Sequence, residues 1–332
     1  MLVILVVMVA CDRENEPPSC ILLSPLDQSY YYTGDPLLIW ADVSDPDANL
    51  TGVKVFVDGT EDTAIANYPY FTILLTDGFQ AVDHDIRVVA TDEEGFQDSD
   101  EAGVTFREPV IGLTDYDGNS YRIAEIGGKT WMAENLRVTH YADGTPIEHV
   151  DYAWDWFQLE PGDRAYCWYN DDTANADHFG ALYTWAAAVN GADTLDSDTT
   201  LIQGVCPDGW HLPTDTEWKE MEIHLGMSTA SADELEKWRG DDVGGKLKQS
   251  GNFYWSYPNK GATDETGFSA LPGRARYFDG RFDTQDVAAF WTATGHDSLN
   301  SIYRGLASLS DMSYRDYFDR TSGFSIRCVR DE

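Results

Sequence analysis

The densest structural signals in this sequence lie in Cys206-Pro-Asp-Gly-Trp-His-Leu-Pro-Thr-Asp-Thr-Glu-Trp-Lys-Glu-Met-Glu-Ile-His-Leu-Gly226. Its Pro-Asp-Gly is typical of a turn, because proline presets φ and glycine accepts positive φ. Thr214 and Glu217 have the spacing of a capping box, so a helix is predicted to begin after Thr214. One face of this helix is apolar, formed by Trp218, Met221 and Leu225. The stretch therefore predicts a turn followed by a capped amphipathic helix.

Length and charge narrow the classes of protein that the chain can belong to. A chain of 332 residues is longer than one typical hydrophobic core, which favours two domains. Asp and Glu number 58 against 22 Lys and Arg, a formal charge of −36. Such a charge repels phosphate backbones, so nucleic acid is not expected as a partner. Solubility at an exposed surface and binding of divalent cations both remain explanations of the acidity.

The first eleven residues form an apolar run that ends at Cys11. It is too short to span a bilayer, which takes about 20 residues. Met8-Val-Ala-Cys11 resembles the lipobox of bacterial lipoprotein signals, which implies that Cys11 carries lipid, although the usual basic start is missing. The alternative is a buried N-terminal strand. We expect residues 1–18 to be a signal remnant and tether, and the protein to be an exported outer-membrane lipoprotein at the cell surface, touching membrane only through its lipid.

Residues 19–107 are predicted to form an all-β sandwich. Two runs alternate apolar with other residues: Val53, Val55 and Val57, and then Ile86, Val88 and Ala90. The segments Val53–Gly59, Tyr68–Tyr70 and Arg87–Gly95 resemble those of bacterial immunoglobulin-like domains. The resemblance implies an immunoglobulin-like sandwich that acts as a spacer or docking module.

Residues 108–332 differ in composition and are predicted to form a second domain. Ten of the eleven tryptophans lie in this part of the chain. Periodic apolar residues predict a helix over 179–189, in addition to the capped helix over 214–225. Short alternating runs from residue 268 onward predict strands. Two main helices followed by an antiparallel sheet make this domain α+β.

A family resemblance covers nearly all of this second part. Six sequence blocks occur in order: Thr130–Leu136, Gly180–Ala188, Cys206–Trp218, Thr266–Gly273, Phe290–Thr294 and Gly323–Val329. Together they resemble the Fibrobacter succinogenes major paralogous domain family, which is similar in pattern to the C-type lectin-like fold. The resemblance implies an exported α+β domain of undefined biochemical function.

The same resemblance implies a pairing for two cysteines. It places the turn at Cys206 beside the last strand, so Cys206 and Cys328 are expected to form a disulfide, which an exported protein can keep. Many family members have another cysteine near the position of Ala176, which leaves Cys167 without that partner here. The partners of Cys20 and Cys167 stay open.

No set of residues with the spacing of a catalytic or metal site stands out. The block around His211 also resembles the formylglycine-generating enzymes, but these use a pair of cysteines in the C-terminal half, and only Cys328 follows Cys206. No cofactor, metal or catalytic residue is therefore expected. His211 is interpreted as a packed residue, with a ligand role as the alternative. The acidic residues of 171–177 form either a solvated loop or a cation site.

One candidate ligand surface remains, formed by Trp255, Tyr257, Asp264, Arg276 and Tyr277, with Phe278 beside them. Exposed aromatic faces with a few polar neighbours can stack on sugars or anchor a protein. The alternative is that these aromatic residues belong to the core. We expect a non-catalytic binding module for an extracellular glycan or surface protein; an enzyme acting on extracellular polymer and a structural component of a surface assembly are the alternatives.

The lipid anchor can be tested directly. Because Cys11 is the predicted lipidated residue, Cys11→Ser is expected to move the protein from the membrane fraction to the soluble fraction. Immunoblots of fractionated cells, with Cys20→Ser as the control, make the measurement. A Cys11→Ser protein that still sediments with membranes would place the anchor elsewhere.

Overall fold

Alternating apolar residues pack the N-terminal part of the chain into two facing β-sheets. The computed structural model describes residues 14–192 and 201–332, so Cys11 lies outside the described residues. Eight strands build the sheets: β1 (Ser19–Ser24), β2 (Ser29–Tyr32), β3 (Leu37–Ser44), β4 (Leu50–Val57), β5 (Thr60–Ile65), β6 (Tyr70–Leu74), β7 (Asp83–Asp92) and β8 (Gln97–Arg107). Sheet orders are β1-β3-β6 and β2-β8-β7-β4-β5. Val53, Val55, Ile86 and Val88 are fully buried between them, which gives the predicted sandwich architecture.

The C-terminal part contains three further sheets joined by long irregular segments. Its strands are β9 (Ile111–Thr114), β10 (Ser120–Ile126), β11 (Lys129–Met132), β12 (Glu148–His149), β13 (Ala165–Trp168), β14 (Ala181–Tyr183), β15 (Trp210–His211), β16 (Lys237–Arg239), β17 (Val287–Gly295), β18 (Asn300–Ala307), β19 (Ser313–Asp319) and β20 (Val329–Arg330). They pair in the orders β15-β20-β11-β10-β9, β12-β13-β14 and β16-β19-β18-β17. Apolar clusters fill the space between these sheets.

Helices are short throughout the described residues. They are α1 (Ala153–Phe157), α2 (Ala176–Phe179), α3 (Trp185–Ala188), α4 (Asp215–His224), α5 (Thr229–Asp233) and α6 (Val243–Leu247). The capping box that starts α4 is present, with Thr214 and Glu217 each bonded to the backbone N–H of the other. In the part of the chain that the structure describes, no helix is long and apolar enough to cross a membrane.

The predicted α+β class with two main helices, and the lectin-like fold that went with it, is wrong: the structure as a whole is mostly β, and the described residues of the C-terminal part form twelve strands and six short helices. Residues predicted as the helix over 179–189 instead form a strand, β14, which pairs with β13, and the four-residue α3. Gly180 adopts a φ of 71°, which ends α2 before the strand. A side chain there would approach the carbonyl oxygen of Leu136 to 2.8 Å. Residues 180–189 are all buried, so the segment is apolar on every side. Periodicity alone cannot distinguish such a segment from an amphipathic helix.

The predicted disulfide is confirmed. Cys206 and Cys328 are bonded across 122 residues of sequence and join the turn before β15 to the residue before β20. Cys20 and Cys167 are buried free thiols. Burial raises the pKa of Cys167 to about 12, so this thiol is neutral and unreactive at ordinary pH.

Ion pairs and hydrogen bonds join the sandwich to the rest of the chain. Arg122 donates two hydrogen bonds to the carboxylate of Asp35, at 2.9 and 2.7 Å. Arg107 donates to the carbonyl oxygen of Asp264 at 2.7 Å, and the Tyr32 hydroxyl to that of Gly267 at 3.1 Å. The joint fixes the orientation of the C-terminal part on the sandwich.

Candidate functional site

The five residues predicted as a ligand surface do not form one exposed surface. Trp255, Asp264 and Arg276 are buried, with at most 2% of each exposed to solvent. Tyr257 is half exposed and packs edge-on against Trp40 of the sandwich, with ring centres 5.1 Å apart. Tyr277 is half-buried and donates its hydroxyl to Asp283 at 2.6 Å. The prediction is therefore wrong for the three buried residues.

The buried members of the set hold irregular backbone in place. Trp255 donates its indole N–H to the carbonyl of Ala270 at 2.9 Å. Asp264 accepts hydrogen bonds from the backbone N–H and the hydroxyl of Ser269. Asp264 is 2% exposed, and this burial raises the pKa of its carboxyl to about 7. Both residues therefore stabilise loops from within and present no surface to solvent.

Three aromatic side chains on and beside α1 are largely exposed. Among the five residues of the predicted ligand surface, Tyr257 alone is exposed to a similar degree. Tyr152 is 71% exposed, Trp154 69% and Phe157 50%. The rings of Trp154 and Phe157 lie 5.8 Å apart. Phe278, at the turn of the neighbouring hairpin, is 48% exposed. We call Tyr152, Trp154, Phe157 and Phe278 the aromatic platform.

A buried tryptophan anchors the platform. Trp156 is separated from Trp154 by about 200° around the helix axis, because each residue advances about 100°. Trp156 is therefore fully buried where Trp154 is exposed, and it packs against Gly323. Hence α1 is held by its inner ring while its outer rings remain in solvent.

The buried Arg276 fixes the backbone around this anchor. Its guanidinium lies 4.7 Å from the ring centre of Trp156 and 4.7 Å from that of Phe282. Nη1 donates to the carbonyl of Val150 at 3.0 Å and to the carboxylate of Asp171 at 2.7 Å. These bonds tie the segment before α1 to the hairpin that carries Phe278.

The hairpin and the helix are also in direct contact. Gly280 lies in the hairpin turn with a φ of 81°, and a side chain there would collide with the backbone of Ala153. The close approach places the hairpin that carries Phe278 against the start of α1. The predicted ligand surface did not include Tyr152, Trp154 and Phe157. The signal in the sequence is the pair of tryptophans two residues apart, which on a short helix indicates one inward and one outward ring.

His211 is a packed residue, as interpreted from the sequence. Nε2 lies 2.9 Å from Glu217 Oε1 and Nδ1 lies 2.8 Å from Asp331 Oδ1, so both ring nitrogens are engaged. Burial alone would raise the pKa of Glu217, but hydrogen bonds from His211, the Thr214 backbone N–H and Lys129 lower it to about 2. Burial alone would lower the pKa of His211, but the carboxylates of Glu217 and Asp331 raise it. These contacts hold the first turn of α4 in place.

The acidic loop over 171–177 is internally bonded. Asp171 pairs with Arg276, Asp172 accepts from the Ala174 backbone N–H at 2.9 Å, and Asn175 donates to the Tyr169 carbonyl at 2.8 Å. Within residues 14–192 and 201–332, no group of three or more His, Cys, Asp or Glu could hold a metal ion. The loop supports the hairpin through Asp171.

Comparison of the sequence with protein families gives one match. The Fibrobacter succinogenes major domain matches residues 124–330, which is more than half of the chain. No curated protein matches the sequence.

Solved structures share only weak similarity with the chain. Fibronectin(III)-like modules of Clostridium thermocellum CbhA are 24% identical, over 28% of this chain and 47% of that one, with a TM-score of 0.25. A Bacteroides ovatus protein of a mixed-linkage glucan utilization locus, SGBP-B, solved with a heptasaccharide, is 15% identical over 38% of each chain, with a TM-score of 0.24. The Yersinia pseudotuberculosis adhesin InvE is 10% identical over 94% of this chain and 70% of that one, with a TM-score of 0.27. This chain thus spans less than half of the first two, and similarities this low establish no function for it.

The His211–Glu217 pair predicts a pH dependence of stability. Because the pKa of Glu217 is lowered to about 2, the ionised carboxylate stabilises the folded state. Its contribution to the free energy of unfolding is complete above about pH 4.3 and is lost as pH falls toward 2. Because the pKa of His211 is raised, its contribution is complete below about pH 6.5 and is lost as pH rises through the folded value. Glu217→Gln is therefore expected to lower the free energy of unfolding by about 2–3 kcal/mol near pH 6, and by much less near pH 2.5.

Urea denaturation at both pH values measures this difference. The control is Glu61→Gln, which breaks the half-exposed pair with Lys54 and should cost at most about 1 kcal/mol at either pH. A Glu217→Gln effect of the same size at both pH values would contradict the assigned role of the pair.

Proposed function

The chain belongs to the Fibrobacter succinogenes major domain family, and we propose that it is an exported, non-catalytic module that binds an extracellular glycan. The aromatic platform is the observation that supports this function. Exposed Trp154 and Phe157 lie together on one short helix, exposed Tyr152 directly precedes this helix, and Phe278 lies on the hairpin against it. Neighbouring exposed aromatic rings, such as those of Trp154 and Phe157, commonly mark a binding site.

Stacking is the chemistry that such a platform offers. One face of a pyranose ring carries axial C–H groups, which pack against the face of an indole or phenol ring. Trp154 and Phe157, 5.8 Å apart, provide two such faces. Because Trp156 anchors α1, the backbone that carries the rings is already in place when the ligand binds, which lowers the entropic cost of binding.

The charge of the protein selects among glycans. A formal charge of −36 repels uronic acids and sulfated sugars, and Asp155 lies on α1 itself. The platform is therefore suited to neutral polysaccharides. Hydroxyl groups of a neutral sugar can donate hydrogen bonds to the exposed carboxylates around the platform.

The N-terminal sandwich serves as a spacer in this proposal. The lipid on Cys11 holds the protein at the cell surface, and the chain joins the sandwich only a few residues later, where Asn15 donates to the carboxylate of Asp92 at 2.7 Å. The Asp35–Arg122 pair and the contacts of Arg107 then keep the C-terminal part in a fixed orientation toward its ligand. The same rigid arrangement is expected whichever neutral glycan is bound.

Substitution in the platform tests the function. Residues 14–332 are applied to an array of neutral and acidic polysaccharides, and affinities are measured by calorimetry for the glycans retained. Trp154→Ala is expected to weaken binding about tenfold, or about 1.4 kcal/mol, with little change in melting temperature because the side chain is exposed. Trp154→Phe should keep most of the affinity.

Tyr68→Ala is the matched control, since Tyr68 is 76% exposed but lies in the sandwich. Product analysis accompanies each mixture. Unchanged affinity of Trp154→Ala, or equal loss with Tyr68→Ala, would contradict binding at the platform. Cleaved polysaccharide would contradict a non-catalytic function, and retention of acidic glycans alone would contradict the predicted ligand class.

A further inference from the structure

A hollow of about 190 Å³ lies on the sheet β16-β19-β18-β17, apart from the aromatic platform. Strand register explains its position. Trp238 on β16 is opposite Tyr314 on β19, Tyr314 is opposite Gly305 on β18, and Gly305 is opposite Ala289 on β17. Two large rings thus stand next to two positions with almost no side chain. We call the space over Gly305 the sheet hollow.

Aromatic rings form the walls of the sheet hollow in a continuous series. The ring centres of Trp238 and Tyr314 are 5.1 Å apart, those of Tyr314 and Tyr303 6.3 Å. Phe318 follows at 5.9 Å from Tyr303, and Tyr277 at 5.8 Å from Phe318. Trp238 is 40% exposed, which leaves the hollow open to solvent on its side. The walls therefore offer several π surfaces to a small ligand.

The charges at the sheet hollow are of one sign. Among the described residues that line it, Asp283 is charged and no Lys, Arg or His occurs. Tyr277 donates its hydroxyl to Asp283 at 2.6 Å, and Tyr314 donates to Asp316 at 3.0 Å. A phenol that donates to a carboxylate is polarised toward its ring, which makes the ring face more attractive to a cation.

We propose that the sheet hollow binds an alkylated ammonium group, such as the trimethylammonium group of choline. Ring faces attract a cation, and the apolar lining accommodates its methyl groups, which a bare metal ion or ammonium ion lacks. The volume of about 190 Å³ equals roughly six water molecules at about 30 Å³ each, enough for a group of five heavy atoms. Asp283 supplies the opposite charge at the edge.

A neutral sugar fits this hollow less well. A bound sugar places several hydroxyl groups against protein and needs polar partners for each of them. Two of the tyrosine hydroxyls already donate to carboxylates, and one Asp283 oxygen also accepts from the backbone N–H of Gln285 at 2.8 Å. The proposal stands independently of glycan binding at the platform, because the two sites share no residue.

A pair of probes of equal shape separates charge from size. Choline and its neutral isostere 3,3-dimethylbutan-1-ol are titrated into residues 14–332 and followed by saturation-transfer NMR and calorimetry. Choline is expected to bind at least tenfold more tightly than the isostere. Asp283→Asn is expected to weaken choline binding severalfold without changing the affinity for the isostere.

Gly305→Val places a branched apolar side chain in the sheet hollow. A Cβ at this position would lie 3.4 Å from Tyr314 Cβ, an ordinary contact, and Gly305 is not in the left-handed region. Valine also favours strands. The variant is expected to abolish choline binding, whereas Gly52→Val, at a strand glycine in open space, should bind as the wild-type protein does.

Three results would overturn the proposal: equal affinity for choline and its isostere, undiminished choline binding by a folded Gly305→Val protein, or loss of binding in Gly52→Val. Near-UV circular dichroism reports whether each variant is folded. If Gly305→Val does not fold, Trp238→Ala replaces it, because its ring is partly exposed and its loss should weaken choline binding at least fivefold. Unchanged affinity of Trp238→Ala would then overturn the proposal.

Discussion

The geometry of the aromatic platform depends on one buried guanidinium, that of Arg276. It donates to four oxygen atoms: the carbonyls of Val150, Asp151 and Gly280 and the carboxylate of Asp171. Buried carbonyl groups need donors, and these lie in irregular segments that no strand can pair with. Arg276 supplies the donors and at the same time covers the inner face of Trp156. A single side chain thus joins the helix, the hairpin and the acidic loop beneath the platform.

Other buried cations have the same function elsewhere in this loop-rich part of the chain. Arg327 donates to the carbonyls of Met132, Phe268 and Ser269, and Lys248 donates to those of Lys260, Ala307 and Ser310. Burial lowers the pKa of Arg327 to about 9 and that of Lys248 to about 7. The guanidinium therefore stays charged at neutral pH, and the three carbonyls around Lys248 accept from all three N–H groups of its protonated ammonium. Long segments without regular structure can hold a fixed shape because such groups satisfy their carbonyls.

Local signals in the sequence predicted what is local in the structure. The capping box at Thr214 and the strands of the sandwich depend on neighbouring residues, and both are seen. Arg276 was assigned to a surface because arginine is usually exposed, yet its partner Val150 is 126 residues away. The segment over 179–189 was assigned to a helix because the sequence does not show its pairing with β13. Contacts between distant segments decided both cases. Phe278 was named from the sequence, but its place beside the helix that carries Trp154 and Phe157 depends on another such contact, that of Gly280 with Ala153.

In the proposed binding mode, the ligand contacts the outer rings of α1 while the inner ring of Trp156 stays packed. Indole N–H signals of Trp154 and Trp156, assigned by single Trp→Phe substitutions in ¹⁵N-labelled protein, report on the two sides of the same helix. Titration with a retained neutral oligosaccharide is predicted to shift the Trp154 signal progressively to saturation and to leave the Trp156 signal nearly in place. A Trp154 signal that does not move when the oligosaccharide is saturating would contradict the account.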